Sequence, residues 1–333
     1  MLIMIRNNIL YKVQQYIFQG FLVLMALFFY SCEKEELPVP SHDPGDVITN
    51  SIKMESDYRN QLFFDLETNS LVKQNHKVIW DLGFETSPSG NKIILNGAKF
   101  MKAANTQTSN FNSVTDTVGL TFKIDMPSGS TDSTAIENWT PNNVYVIDRG
   151  YNELGTHQGF CKIEFLSVNA SSYVVHFSKL DGTNDFSMTI PKDINYNFTF
   201  LSLNGNLVSV EPPKENWDLA FTQFTHYYYN DGMTYLVTGC LNNRNKVEVA
   251  QVFDKNFAAI TLNDVNIYSF SKNSNTIGFD WKEYDFNTGT YLIFSNQNYI
   301  IKSTEGKYFK LHFIDFYDTF GVKGTPTFEF QEL

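Results

Sequence analysis

The sequence predicts an all-β protein: an antiparallel sandwich or curved-sheet architecture, arranged as two related tandem units after a lipoprotein signal peptide. Three observations lead there. Aromatic residues make up 16% of the 333-residue chain, with 30 Phe and 18 Tyr, and such side chains favour strands. Apolar and polar positions trade places with period two in Lys162–Phe165 and in Tyr308–Ile314, the alternation of a half-buried strand. Turn signals punctuate these runs: Ser89-Gly90-Asn91, Asp181-Gly182, Asn204-Gly205-Asn206, Asn230-Asp231-Gly232, Asn287-Thr288-Gly289 and Glu305-Gly306.

Composition narrows the function. With 42% apolar and 18% charged residues the chain is globular rather than disordered. A net charge of −11 and four Arg argue against a binder of duplex nucleic acid. Three Cys are too few for a disulfide scaffold or a cysteine-rich zinc module.

Residues 1–31 read as an export signal. Arg6 and Lys12 lead an apolar run, Phe21–Tyr30, that ends at Ser31-Cys32. That run falls short of the roughly 20 residues needed to span a bilayer. Phe29-Tyr30-Ser31-Cys32 resembles a relaxed bacterial lipobox, which makes Cys32 the acylated (palmitate-bearing) N-terminus of the mature chain. Membrane lipid is then a partner through Cys32. Glu33-Lys34-Glu35-Glu36 resembles the acidic signal that sends Bacteroidetes lipoproteins to the outer face of the outer membrane. Residues 32–48 complete the tether, stiffened by Leu37-Pro38-Val39-Pro40 and Asp43-Pro44-Gly45.

The units are expected at 49–195 and 196–333. Trp80-Asp81-Leu82-Gly83-Phe84 recurs 137 residues later as Trp217-Asp218-Leu219-Ala220-Phe221, and Leu66 falls on Leu203 in the same frame. On a strand, Trp217, Leu219 and Phe221 share a face. Asp218 is free to accept from backbone donors of a neighbouring turn. Trp80 and Trp217 are expected in the core.

Asn216–Thr222, Tyr299–Leu311 and the closing Phe320–Gln331, with its Lys323-Gly324-Thr325-Pro326-Thr327-Phe328, resemble the HmuY family. The likeness is stronger over 196–333 than over the first unit. It implies an all-β haem-binding lipoprotein of iron acquisition, not an enzyme, that delivers haem to an outer-membrane uptake system such as a TonB-dependent receptor. Axial ligands vary within the family, so none transfers by motif.

Haem iron takes imidazole or thioether ligands. The mature candidates are His42, His76, His157, His176, His226 and His312, with Met54, Met101, Met126, Met188 and Met233. His42 lies in the tether, and His312 shares a strand face with Lys310, as a solvated histidine would. The densest constellation runs from Phe224 to Tyr235. An Asp231-Gly232 type I′ turn would pair Asn230 with Met233 and His226 with Val237. His226 and Met233 are then candidate axial ligands, and Tyr227, Tyr228 and Tyr229 supply flat walls. The competing reading is an aromatic hairpin packed on its sheet. Cys161 and Cys240 either bridge or stay as two buried thiols. No metalloprotease helix, nucleophile elbow, P-loop or dinucleotide fingerprint is present. A surface adhesin or accessory glycan- or protein-binding lipoprotein without cofactor is the alternative function.

Overall fold

A computed structural model of the protein describes residues 44–333. The signal peptide, Cys32 and the acidic stretch after it lie outside the described residues. Nine strands come first: β1 (Ile48–Ser51), β2 (Asn60–Asp65), β3 (Ser70–His76), β4 (Leu82–Glu85) and β5 (Ile93–Leu95). After them come β6 (Lys102–Asn105), β7 (Val144–Asp148), β8 (Phe160–Val168) and β9 (Ser172–Lys179). Eleven more run from β10 (Phe186–Pro191), β11 (Phe198–Ser202), β12 (Asn206–Val208) and β13 (Leu219–Tyr228) to β14 (Met233–Asn242) and β15 (Glu248–Val252). The last are β16 (Lys282–Asp285), β17 (Thr290–Ile293), β18 (Asn298–Lys302), β19 (Tyr308–Tyr317) and β20 (Lys323–Glu332). Among the described residues the helices are short 3-10 turns.

Four sheets build two sandwiches. In the first, the sheet β12-β11-β4-β5 covers β10-β9-β8-β7-β6, closing a core around Phe84, Phe165, Tyr173 and Phe177. In the second, β14-β13-β2-β3 covers β1-β20-β19-β18-β15, around Phe64, Phe221, Trp281, Phe313 and Phe328. The hairpin β16-β17 is added to the second. The order of strands is the same in both, with β1, β2 and β3 standing where β10, β11 and β12 stand. The chain therefore exchanges segments. β1–β3 complete the sandwich made by β13–β20, and β10–β12 complete the one made by β4–β9. Strands do not sort at the expected cut between 195 and 196.

The Trp-Asp motif sits at this exchange. Asp81 N–H donates to Leu201 O at 2.9 Å, and Asp218 N–H to Phe64 O at 2.9 Å. Each carboxylate answers two residues further along: Leu203 N–H reaches Asp81 Oδ2 at 2.7 Å, and Leu66 N–H reaches Asp218 Oδ2 at 3.0 Å. Asn96 donates to the carbonyls of Lys77 and Trp80, as Asn243 does to those of Lys214 and Trp217. The backbone groups in these contacts are themselves 137 residues apart. Each motif thus clamps a strand borrowed from the other half of the chain.

Trp80 and Trp217 are buried, between the two four-stranded sheets with Phe63, Phe198 and Phe200. Trp217 does not share the environment of Leu219 and Phe221. It precedes the first residue of β13, where the strand's alternation has not begun. Cys161 and Cys240 are free thiols buried in different cores, and burial pushes the Cys161 thiol up to about 11.

Candidate functional site

β13 and β14 are ten residues each, yet β2 pairs only with Leu219–Phe221. The rest of the hairpin runs on past its neighbour as an arm. Its outer edge is held by a bridge between Cys240 and Gly278, at which a Cβ on Gly239 would overlap the Gly278 carbonyl. This close approach delivers Phe279, whose ring lies 6.2 Å from Phe224, 4.9 Å from His226 and 6.3 Å from Tyr228.

The arm closes through four residues, Tyr229–Gly232, not the two-residue turn expected. Asp231 and Gly232 both donate to Tyr228 O, at 3.3 and 2.9 Å, and only Gly232 takes a positive φ (+64°). A type I′ turn needs positive φ at both central residues, and Asp231 does not adopt it. The register is accordingly Tyr228↔Met233 and His226↔Tyr235, correcting the expected pairs Asn230 with Met233 and His226 with Val237. His226 and Met233 still share a face, now only one step of alternation apart, about 7 Å. Tyr228 and Tyr235 complete that face. Tyr227 and Tyr229 do not join it; their rings meet edge-on at 5.0 Å. A shallow depression of about 300 Å³ is lined by His226–Asp231, and Met233 stands across the ladder from Tyr228.

His226 stands apart chemically. Its half-buried ring packs edge-on against Tyr228 at 4.7 Å, and its buried Nδ1 has no hydrogen-bond partner. Burial lowers its pKa, against a weaker pull from Asp280, so the imidazole is neutral near pH 7. The other described histidines are engaged. His76 lies 3.6 Å from Glu153, and His157 lies 2.8 Å from Asp148. His176 sits between Glu164 and Asp185 at 2.7 and 2.6 Å. His312 is not solvated as expected: it is 9% exposed, stacked on Phe257, and bonded to Ser295 O and Glu329. Lys310 beside it is buried too, donating to Ile260 O.

Met54 and Met101 are core residues, and Met188 packs on the first core. Met233 is 55% exposed. Tyr235, the end of the constellation read from the sequence, joins the walls, and Phe279 is the site residue that the sequence did not single out. Alternation from Met233 reaches Tyr235, but Phe279 arrives through a bridge that no local pattern marks. Elsewhere Asp65, Glu67 and Asp218 bring carboxylate oxygens within 4.8 Å of one another. Burial and the charge of Asp218 push Glu67 up to about 8, so near pH 7 Glu67 keeps its proton and adds no charge to that cluster.

The family profile for HmuY protein matches residues 57–330. The chain belongs to the HmuY family. The HmuY match spans both sandwiches, from before β2 nearly to the end of β20, and so reaches well beyond the 196–333 stretch that carried the clearest likeness. Apo PinO from Porphyromonas gingivitis is 10% identical, with 86% of this chain and 97% of that chain covered and a TM-score of 0.36. An apo HmuY analogue from Tannerella forsythia, TFO, is also 10% identical, covering 87% of this chain and 98% of its own at a TM-score of 0.24. No curated protein matches this chain. On this HmuY-family chain, the β13–β14 face offers an uncommitted imidazole, an exposed thioether and flat aromatic walls.

Proposed function

We propose that this HmuY-family protein is a non-enzymatic lipoprotein that binds haem, or a similar flat apolar ligand, on the β13–β14 face. The observation that carries the reading is His226: among the described histidines it alone has no hydrogen-bond or ion-pair partner. An imidazole held neutral by burial is the form that ligates iron. Tyr228, Tyr235 and Phe279 offer the porphyrin flat surfaces, and Met233 offers a thioether on the same face. Haem would be held there through His226 and Met233, and would supply an iron centre able to take imidazole and thioether ligands. Acylation at Cys32 and anchoring in the outer membrane belong to the same proposal, supported by the sequence before residue 44; hand-off to a TonB-dependent receptor belongs to it as well, supported by membership of the HmuY family.

Titration of the purified chain with haemin tests it. A saturable Soret shift is expected, with at least a tenfold loss of affinity in His226→Ala and a changed spectrum in Met233→Leu. A flat titration would favour the alternative, an adhesin or accessory subunit without cofactor. That second reading draws on solvent-facing aromatics outside the arm, Phe286 at 90% and Phe320 at 89% exposure.

A further inference from the structure

Two carboxylates flank the β13–β14 face, and the fold uses neither. Asp231 stands at the tip of the arm, and Asp280 follows Phe279, whose ring lies 4.9 Å from His226. Aspartates in three other hairpin turns are committed to their own backbones. Asp181 accepts from Thr183 N–H, Asp285 from Asn287 N–H, and Asp318 from the N–H groups of Phe320 and Val322. Asp231 and Asp280 are exposed, and among the described residues their carboxylates make no hydrogen bond or ion pair.

Their charge reaches the face. Asp280 opposes the burial that lowers His226, and burial, with Tyr235, Asp231 and Asp280, raises the Tyr228 hydroxyl above the usual tyrosine range. Among the described residues no basic group acts on either side chain. Arginine, which grips a carboxylate with two parallel hydrogen bonds, is placed elsewhere: Arg59 pairs with Asp57, Arg149 with Asp81, and Arg244 donates to Gly129 O. Lys282, two residues after Asp280, is buried, its Nζ donating to Thr238 O and lying 4.2 Å from the centre of the Trp281 ring.

A ligand with free carboxylates, such as the propionates of haem, therefore meets like charge here without a countercharge, which is unfavourable. A carboxamide in the same place donates its N–H to Asp231 or Asp280 in a charge-assisted hydrogen bond.

We propose that the β13–β14 face selects metal macrocycles whose side arms end in amides over those whose arms end in carboxylates, with Asp231 and Asp280 setting the choice. Corrins are the natural macrocycles of that class, and haem is the weaker ligand. The proposal rests on the reading of this face as a macrocycle site and adds the chemistry of the ligand's rim.

Competitive titrations of the purified chain with haemin, its dimethyl ester, its diamide and cobinamide are the test. The diamide is expected to bind about fivefold more tightly than haemin, with the ester between them, and cobinamide to bind saturably. Salt at about 1 M, which confines charge effects to about 3 Å, should bring haemin towards the ester. Asp231→Asn combined with Asp280→Asn, both at exposed positions, should tighten haemin several-fold and leave the ester unchanged, whereas His226→Ala should weaken every ligand. Absence of binding by all four ligands overturns the macrocycle site itself. Equal affinities for haemin, ester and diamide, or haemin the tightest, overturn the selectivity and leave the site standing. An ester as tight as the diamide overturns the amide pairing, and a diamide that binds where cobinamide does not overturns the corrin class.

Discussion

Asp81 and Asp218 perform the same backbone task in the two sandwiches, yet they are neutralised in opposite ways. Asp81, 1% exposed, contacts the buried Lys99 and lies 2.9 Å from Arg149 Nη2. Asp218, fully buried, has backbone donors Leu66 and Thr304 and the acidic neighbour Glu67. Asp81→Asn should therefore cost about 3–5 kcal/mol, because it leaves an ammonium buried without its countercharge. Asp218→Asn orphans no cation and should cost less; thermal melts of the two variants check the order. Glu67 adds a pH signature. Its folded pKa, about 8, lies above the ordinary carboxylate value, so its contribution is complete in acid and lost as pH rises through about 8. Glu67→Gln should melt close to wild type at pH 5 and above it at pH 8.5, by about 1 kcal/mol once partial solvent exposure is discounted. His226 runs the other way: burial lowers its pKa, so haem affinity should hold below the usual imidazole range and fall only when the ring protonates. Spectral titrations from pH 7 to 4.5 would show it, and a loss already complete at pH 6.5 would contradict it. The acceptor role of Asp218 was legible, because an acid beside an apolar strand start has few other uses. Lys99 and Arg149 were not, since the loops that return them to Asp81 leave no local pattern.

At the scale of elements, the strands and their turns were readable where local chemistry decides them. Gly182, Gly205, Gly232, Gly289 and Gly306, each in a turn signal read from the sequence, all adopt positive φ. The arm's register was not readable, because Asp-Gly serves both a two-residue and a four-residue closure, and only the backbone of Asp231 separates them. The consequence for the site is favourable: shortening the His226-to-Met233 offset from two alternation steps to one brings imidazole and thioether within reach of one macrocycle. What holds the arm is its edge. Gly239→Ala places a methyl against the Gly278 carbonyl, so the Cys240–Gly278 bridge must open, at about 1–3 kcal/mol. Phe279 then withdraws from His226. Haemin affinity is expected to fall several-fold in this variant although no ligand is touched, and the same substitution at Gly45, exposed and free of positive φ or close neighbours, would not reproduce it. Unchanged affinity with an opened bridge would show that Phe279 contributes nothing to the wall.

At the scale of the whole molecule, the exchange of β1–β3 for β10–β12 makes each sandwich depend on both halves of the chain. The repeat was visible in sequence because Trp-Asp recurs at a fixed offset, but a fixed offset carries no information about which half a strand joins. That is settled by long-range pairing, here Leu219–Phe221 with Leu62–Phe64 and Leu82–Phe84 with Thr199–Leu201. Residues 196–333 alone would leave β13 without β2 and β20 without β1, exposing two strand edges and the apolar face around Phe221 and Phe328. Such edges pair indiscriminately. The isolated fragment should therefore aggregate or stay unfolded, as should 44–195, while an equimolar mixture refolds to the far-ultraviolet circular dichroism of the intact chain. Calorimetry of the intact chain should give one transition whose van't Hoff and calorimetric enthalpies agree. Two resolved transitions, or a soluble, cooperatively melting 196–333 fragment, would mean that the clamps at Asp81 and Asp218 do not couple the sandwiches.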